Sequence, residues 1–273
     1  MSAFTSHFSF EFRAGLRDRS LLLMNYLFPL VFYVVVSLLM TQLNPTFRPN
    51  VIPAMVVFVT LTSLILGLPN PLVSAREAGI FRSFRVNGVP ALSVVLIPAI
   101  TTAVHAVIAA VIVTFTAPVF FQAPLPVNWA GFVVFLVLTI FVMAGLGVLI
   151  GVISGNTRIT ILWSQLIFLP SIMIGGLMIP RSLLTGALAE ISGLWPSTYS
   201  MMIYDGLARG SGVDAIVSLS LIVILASGIL AFALASYLFS WDSQNTTRRG
   251  SVWLALLVLA PFVIGAVLLR TIV

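Results

Sequence analysis

The sequence predicts an all-α membrane protein whose chain crosses the bilayer about seven times. Sixty per cent of the 273 residues are apolar and only 7% are charged, whereas a soluble domain uses about a quarter of its residues as charged surface. The apolar residues also occur in long runs, as spanning helices of about 20 residues require. The outside of the fold is therefore expected to face lipid.

Seven segments have the length and apolar character of spanning helices. They are residues 21–40, 51–68, 91–117, 129–153, 159–179, 215–240 and 252–273. Pro69-Asn70-Pro71 is expected to end the second segment, because proline lacks a backbone donor and restricts the residue before it. No polar stretch is long enough to fold separately, so residues 1–273 are expected to form a single transmembrane domain.

The arginines orient the chain. All 13 basic residues are arginine, and with the N-terminus inside, nine of them fall in cytoplasmic segments and four outside. This asymmetry follows the positive-inside rule and accounts for the net charge without nucleic acid. The sequence thus predicts a multi-pass protein of the cell membrane, with a cytoplasmic N-terminus and, after seven spans, an external C-terminus.

The segment before the first span, residues 4–20, is predicted to be an amphipathic helix in the cytoplasmic interface. Three phenylalanines and Leu16 share one side of a helical wheel, and Arg13 and Arg17 lie on the opposite side. Such a helix lies in the membrane surface with its apolar side inward. A frayed tail is the alternative.

The loop after the second span, residues 74–90, is predicted to contain a short amphipathic helix. Charged and apolar side chains alternate in it, and Asn87-Gly88 and Pro90 end the pattern. The apolar side could rest on the membrane or enter a groove of another protein, which would leave the arginines to pair with acids. An ordinary basic cytoplasmic loop is the alternative. The side chains concerned are Arg76, Glu77, Ile80, Phe81, Arg82, Phe84 and Arg85.

The connection between the fifth and sixth spans, residues 180–214, is too apolar for a solvated loop. Two prolines and two glycines divide it into pieces too short to span. We expect a pair of short helices that dip into the outer leaflet and pack against protein, so that broken backbone does not face lipid. Glu190 and Asp205 would then lie near the outer water boundary, where structural anchoring is a simpler role than substrate binding.

Polar groups inside the spans are few. His105 is a functional candidate because ionisable residues are rare in membranes, but a neutral histidine bonded to a backbone carbonyl or a threonine is the cheaper explanation. Gly147, Gly151 and Gly155 form a face for close helix packing, which is expected within the chain. No acid lies well inside a span, and this argues against a proton-driven or sodium-driven transporter.

Catalysis within the membrane is not expected. The sequence Gly151-Val-Ile-Ser-Gly155 has one residue too many for a GxSG serine, and His105 precedes Ser154. The aspartates lie at span ends, where they cannot share a proton as an aspartyl protease requires. The motif H-E-x-x-H is absent, and with no cysteine and two distant histidines no metal site is expected.

These features occur in an order that resembles that of the permease subunit of type-2 ATP-binding cassette (ABC) transporters. The segment 4–20 is similar to the interfacial helix of that family. Arg76-Glu77-Ala78-Gly79 and the basic stretch after it resemble the family's coupling segment. The stretch 176–210, with Pro196-Ser197-Thr198-Tyr199, resembles its external re-entrant hairpin.

The resemblance implies a six-span core over residues 21–240, preceded by an interfacial helix within 1–20. It implies that two permeases, identical or paralogous, pair in the membrane and that each docks a nucleotide-binding ATPase subunit on its cytoplasmic loop. A Walker lysine is impossible in a chain without lysine, so ATP and Mg²⁺ are expected on the partner subunit and no cofactor on this chain. Residues 241–273, a loop and a seventh span, depart from the family pattern.

The resemblance also assigns residues to three places. Coupling to the ATPase falls to Arg76, Glu77, Gly79, Phe81, Arg82, Phe84 and Arg85. The substrate pathway, along a seam between permeases lined by the second and fifth spans, falls to Thr60, Thr62, Ser63, Gln165 and Ser171. The outer hairpin contains Pro180, Glu190, Trp195, Pro196, Tyr199 and Asp205.

The expected function is that of the transmembrane subunit of an ATP-driven exporter. Apolar spans favour a hydrophobic or amphipathic substrate, such as an antibiotic, another drug or a lipid, with membrane lipid as a further partner. Export of a polysaccharide or lipid-linked polymer is the alternative within this class. Outside it, the chain could be a non-transporting scaffold or an enzyme subunit.

Overall fold

The computed structural model of the chain describes residues 12–13, 19–241 and 250–272. The described part is helical and contains no strand. Most of the predicted interfacial helix, residues 4–20, lies outside it. The seven spans predicted from hydropathy are confirmed, since seven described helices are long and apolar enough to cross a membrane.

We number the helices in chain order and include short π-helical and 3₁₀ stretches in the spans that contain them. The helices are α1 Leu23–Leu43, α2 Pro45–Glu77, α3 Ile80–Val86, α4 Ala91–Phe121, α5 Trp129–Ile153, α6 Thr157–Ile174, α7 Ala187–Ser192, α8 Pro196–Ile203, α9 Ala215–Leu238 and α10 Val252–Ile272.

Helix α2 continues through Pro69-Asn70-Pro71, so the end predicted there is wrong. A π-helical turn, Thr62–Gly67, comes just before the prolines, and the Leu68 amide donates to the Ser63 carbonyl oxygen at 3.0 Å. Pro69 then opens a new α-helical stretch. In a first turn the missing proline donor costs least, because that N–H has no partner within the helix anyway.

Helix α6 ends at Ile174, five residues before the predicted end of the fifth span, 159–179. The chain bends away at Gly175 and Gly176, and Gly176 has a φ of +91°. The backbone that follows leads into the connection that carries α7 and α8.

Helix α2 lies at the centre of the bundle. In its most apolar window 94% of the residues are buried, compared with 28% for α1, α6 and α10. It contacts α1, α4, α5, α6 and α8. The most buried span is therefore the one that leads directly to the loop helix α3.

Glycines allow α5 to approach α2 closely. A Cβ on Gly147 would lie 1.9 Å from the Leu64 carbonyl oxygen, in the π-helical turn of α2. A Cβ on Gly151 would meet Leu72 at 3.0 Å, whereas one on Gly155, beyond the end of α5, would meet nothing within 4 Å. The prediction that this glycine face packs within the chain is confirmed for Gly147 and Gly151.

The seventh span, α10, packs against α9 and against the helical hairpin formed by α7 and α8. The Tyr199 hydroxyl on α8 is fully buried and lies 2.7 Å from the Gly193 carbonyl oxygen and 3.3 Å from that of Phe262 on α10. Arg270 on α10 forms an ion pair with Glu190 on α7. The added span thus stabilises the hairpin.

Candidate functional site

The loop helix α3 is joined to α2 by a tight turn at Gly79. This glycine has a φ of +74°, in the left-handed region that glycine enters without the steric cost paid by other residues. The left-handed conformation explains why glycine stands at the end of Arg76-Glu77-Ala78-Gly79, because this turn lets α3 begin directly after α2. We call this end of the bundle the α3 end and the opposite one the hairpin end.

Arg76 lies inside the chain and not on the loop surface, which differs from its predicted place among the docking charges. Its side chain is only 4% exposed. One guanidinium nitrogen donates to the Val152 carbonyl oxygen at 2.8 Å, and another donates to that of Ser154. These carbonyls lie at the C-terminal end of α5, where a cation is favoured by the helix dipole. Arg76 therefore fastens the base of α2 to α5.

Phe81 is also turned inward, with 4% of its surface exposed. Its ring lies 6.4 Å from that of Phe84, which is half-buried, and 5.8 Å from Phe239, just beyond the end of α9. Phe81 therefore does not belong to an outward-facing apolar side that could rest on the membrane or enter a groove of another protein. The ring instead attaches α3 to α9.

Three more of the predicted coupling residues are exposed: Glu77 at the end of α2, and Arg82 and Arg85 on α3. The apolar Ile80 and Val86 of α3 are exposed as well. Such a mixed basic and apolar face suits contact with another protein. The structure therefore divides the predicted coupling set into an inner part that binds α5 and α9 and an outer part at the surface.

In two of the five predicted pathway residues, the hydroxyl group already donates a hydrogen bond to a carbonyl oxygen of its own helix. Thr60 donates to the Val57 carbonyl oxygen at 2.8 Å, and Thr62 donates to that of Phe58 at 2.8 Å. Both are fully buried within the chain. They therefore do not line a surface that a second permease could reach in this conformation.

The other three predicted pathway residues have buried oxygen atoms that accept or donate no hydrogen bond within the described part of the chain. These are Ser63 on α2 and Gln165 and Ser171 on α6. Asn70 on α2 and Ser164 on α6 show the same condition. Helix α6 contacts both the π-helical turn of α2 and the stretch after it, and we refer to these five residues on the two contacting helices as the polar seam. Buried polar atoms without partners are uncommon and call for an explanation.

Sequence reasoning missed Asn25, which belongs to a second π-helical turn, Leu23–Leu27 of α1. This turn packs against the π-helical turn of α2. Asn25 is 3% exposed, and its side-chain oxygen faces Gly67. A lone asparagine within an apolar span was the available signal. Turns of this kind occur frequently at functional sites.

His105 on α4 binds a side chain and not the carbonyl or threonine that we predicted. Its Nδ1 lies 2.7 Å from the Tyr26 hydroxyl on α1. The ring of Phe12 stacks on it with 4.9 Å between centroids. Thr101 instead donates to carbonyl oxygens of its own helix. His105 thus connects α4 to α1 and to the segment before it.

The connection between α6 and α9 contains the two short helices predicted for it, α7 and α8. Pro180 precedes a short 3₁₀ turn, and Pro196 is the first residue of α8. The Trp195 indole nitrogen donates to the Leu166 carbonyl oxygen on α6 at 3.4 Å. With Glu190 paired to Arg270 and Tyr199 buried, these contacts correspond to anchoring.

Asp205 and Arg209 connect the hairpin to the start of α2. Their side chains form an ion pair at 3.1 Å. Arg209 also donates to Asn50 Oδ1 at 2.8 Å and to the Pro49 carbonyl oxygen at 3.1 Å. Burial raises the pKa of Asp205, and the Arg209 guanidinium opposes this shift.

Taken together, the seven spans, the loop helix α3 and the hairpin at the opposite end define a polytopic α-helical membrane protein. A family model described as ABC-2 type transporter matches residues 3–206. The chain belongs to the ABC-2 type transporter family, which confirms the resemblance seen in the sequence. The match ends in the π-helical turn after α8, so α9 and α10 lie beyond it. No curated protein and no solved structure gives a significant match to the chain.

Family membership makes the chain a multi-pass membrane protein and the membrane subunit of a transporter. It also implies a partner subunit that binds ATP.

Proposed function

We propose that this chain is the permease of an ATP-driven exporter that moves a hydrophobic or amphipathic substrate out of the cell, with ATP hydrolysis on the partner subunit. The observation that carries the proposal is the two-sided construction of α3. Its outer side presents Arg82 and Arg85, while its inner side is attached to the bundle through Phe81. A movement imposed on the outer side therefore has a packed route into the spans.

Two contacts connect this end of the chain to the spans. Phe81 of α3 packs against Phe239 at the end of α9, and Arg76 at the end of α2 donates to the Val152 carbonyl oxygen at the end of α5. Packed elements of this kind can transmit a rearrangement because they shift as units and deform little. In this proposal the partner moves α3, and α2 moves with it. The α3 end then lies in the cytoplasm, as the arginine distribution predicts.

The polar seam between α2 and α6 is our candidate for the substrate pathway. It includes the predicted pathway residues Ser63, Gln165 and Ser171, but it lies inside one chain and not between two permeases. Helix α6 is peripheral, so an outward movement of α6 would expose the seam to a substrate while α2 keeps its other contacts. The unpartnered oxygens would then gain hydrogen bonds, which favours the open state.

Assembly with the ATP-binding subunit tests the proposal. We expect the double variant Arg82→Glu, Arg85→Glu to lose the partner on size-exclusion chromatography and to lose ATPase activity stimulated by the permease. Arg158→Glu is the matched control, since Arg158 is an exposed arginine in the first turn of α6 and lies outside α3. Normal assembly and activity of the double variant would refute the proposed docking surface.

A further inference from the structure

A small cavity at the hairpin end has an unusual charge arrangement. Its volume is about 230 Å³, and it lies between the start of α2, the bend after α6, and α8 with its π-helical turn. Its polar lining includes Asn50, Arg181, Thr198, Asp205 and Arg209. Two guanidinium groups therefore face one carboxylate.

Most of these groups already have partners within the protein. Asp205 and Arg209 form the ion pair described above, and Arg209 holds Asn50 as well. The Thr198 hydroxyl donates to the Ser192 carbonyl oxygen at 2.6 Å. The second positive charge, on Arg181, is not balanced by these contacts.

Arg181 lacks an acidic partner within the part of the chain that the structure describes. Its hydrogen bond there goes to the Met202 sulfur at 4.0 Å, and a thioether is a weak acceptor. No carboxylate oxygen of the described residues lies within 4.0 Å of its guanidinium. The side chain is half-buried, and this burial lowers the pKa of Arg181 because desolvation disfavours its charge. An anion in the cavity would offset that cost.

A second cavity of about 440 Å³ adjoins the first and shares Arg181, Met202 and Asp205 with it. Its lining adds the apolar side chains Leu184 and Ile216. It also adds the carboxylate of Asp214, which caps α9 by accepting from the Val217 amide at 2.8 Å. An anionic group is therefore favoured in the smaller cavity, and an attached apolar chain is favoured in the larger one.

We propose that Arg181 binds the anionic oxygen headgroup, a phosphate or a carboxylate, of an amphiphile whose apolar part occupies the adjoining cavity. Charge-assisted hydrogen bonds to a guanidinium are the strongest that such a headgroup can form with a side chain, and they can be bidentate. The amphiphile has two possible sources, a lipid of the surrounding leaflet or the transported substrate. Only the second source rests on the proposed function.

Binding of a soluble amphiphile to the full-length chain tests the site. The chain is placed in phosphatidylcholine nanodiscs and titrated with dihexanoyl phosphatidic acid, and dihexanoyl phosphatidylcholine serves as the probe with equal chains and no net charge. We expect the acid to bind more tightly. Arg181→Gln should weaken its binding by about 10-fold to 100-fold, the range expected for a charge-assisted hydrogen bond, while Arg181→Lys should retain part of the affinity.

Arg48→Gln is the matched control, because Arg48 is an exposed arginine close in sequence to Asn50 and is bonded to Gln122. Equal loss in both variants would reduce the effect to general surface charge and would overturn the proposal. Unchanged binding by Arg181→Gln would also overturn it. Thermal unfolding of each variant shows whether the protein is folded, and the phosphatidylcholine probe should bind all variants equally.

The source of the ligand is separated by two further arms. Competition by phosphatidylglycerol in the nanodisc would identify a resident lipid, and release of bound probe on ATP addition to the assembled transporter would identify a substrate. Both results keep the anion site. Arg181-dependent binding by a chain that assembles with no ATPase would keep the site and refute the proposed function.

Discussion

The contact between α5 and the π-helical turn of α2 makes a quantitative prediction about Gly147. A Cβ at this position would lie 1.9 Å from the Leu64 carbonyl oxygen, and real Cβ contacts essentially never fall below 3.0 Å. The Gly147→Ala variant must therefore separate two backbones by about 1 Å or more. The two nearest atoms belong to the Leu64 backbone, so no flexible side chain can rotate away to make room for the added methyl group.

Overpacking of this kind costs about 1–3 kcal/mol. In a protein of this size each kcal/mol lowers the midpoint of thermal unfolding by about 2–4 °C, so we expect a decrease of about 2–12 °C. The measurement is thermal unfolding of the purified chain in detergent, followed by tryptophan fluorescence. Because the displaced segment is the π-helical turn beside the polar seam, transport should fall as well.

The same glycine face supplies its own controls. Gly151→Ala should cost less, since its Cβ would meet Leu72 at 3.0 Å, and Gly155→Ala should be neutral because nothing lies within 4 Å of the added atom. The expected order of destabilisation is therefore Gly147, Gly151, Gly155. A Gly147→Ala protein as stable as the native chain, or an order that places Gly155 first, would refute the packing described here.

Three other experiments, two of them with a control variant, test separate parts of the structure. Tyr199→Phe removes the hydroxyl that joins α8 to α10 and should cost about 1 kcal/mol, seen as faster hydrogen exchange in α10; an unchanged exchange rate would contradict this contact. Arg76→Gln should lower the unfolding midpoint, because buried carbonyls lose their donors, whereas Arg85→Gln, at an exposed arginine of α3, should lower the affinity for the ATPase and leave the midpoint unchanged; equal midpoints would remove the distinction. In this chain without cysteine, Ser63→Cys should react with a maleimide only during ATP turnover if the seam opens. Ser227→Cys, which is equally buried on α9, should stay unreactive, and labelling of both would indicate general unfolding.

Hydropathy was sufficient to predict the seven spans, because lipid requires an unbroken run of apolar residues and satisfies no backbone group. It could not predict how α2 passes its prolines. In the sequence, Pro69 and Pro71 predict the end of a helix. In the structure a π-helical turn precedes them, and Pro69 becomes the first residue of the next α-helical stretch. The turn packs against α1, α4, α5 and α6, and contacts between segments cannot be predicted from the sequence of one segment.

The candidate site was predicted in position but not in orientation. An amphipathic pattern places charged and aromatic residues on two sides of α3, yet it does not say which side meets the bundle. The sequence predicts Arg76 as a surface charge, but in the structure it donates to two carbonyl oxygens at the end of α5. The sequence likewise predicts an exposed Phe81, but its ring packs against Phe239. In each case the partner is distant in the sequence, so only the fold could reveal it.

Helix α10 lies beyond the family match and packs against the rest of the bundle. Its described contacts are with α9, with the base of α5 and with the hairpin, and the Tyr199 hydroxyl and the Glu190 carboxylate bind it directly. A helix at this place can therefore stabilise the hairpin beside the Arg181 cavity. We infer that loss of α10 would destabilise the hairpin end of the bundle, because α8 would lose the Phe262 contact of Tyr199 and α7 would lose the ion pair of Glu190.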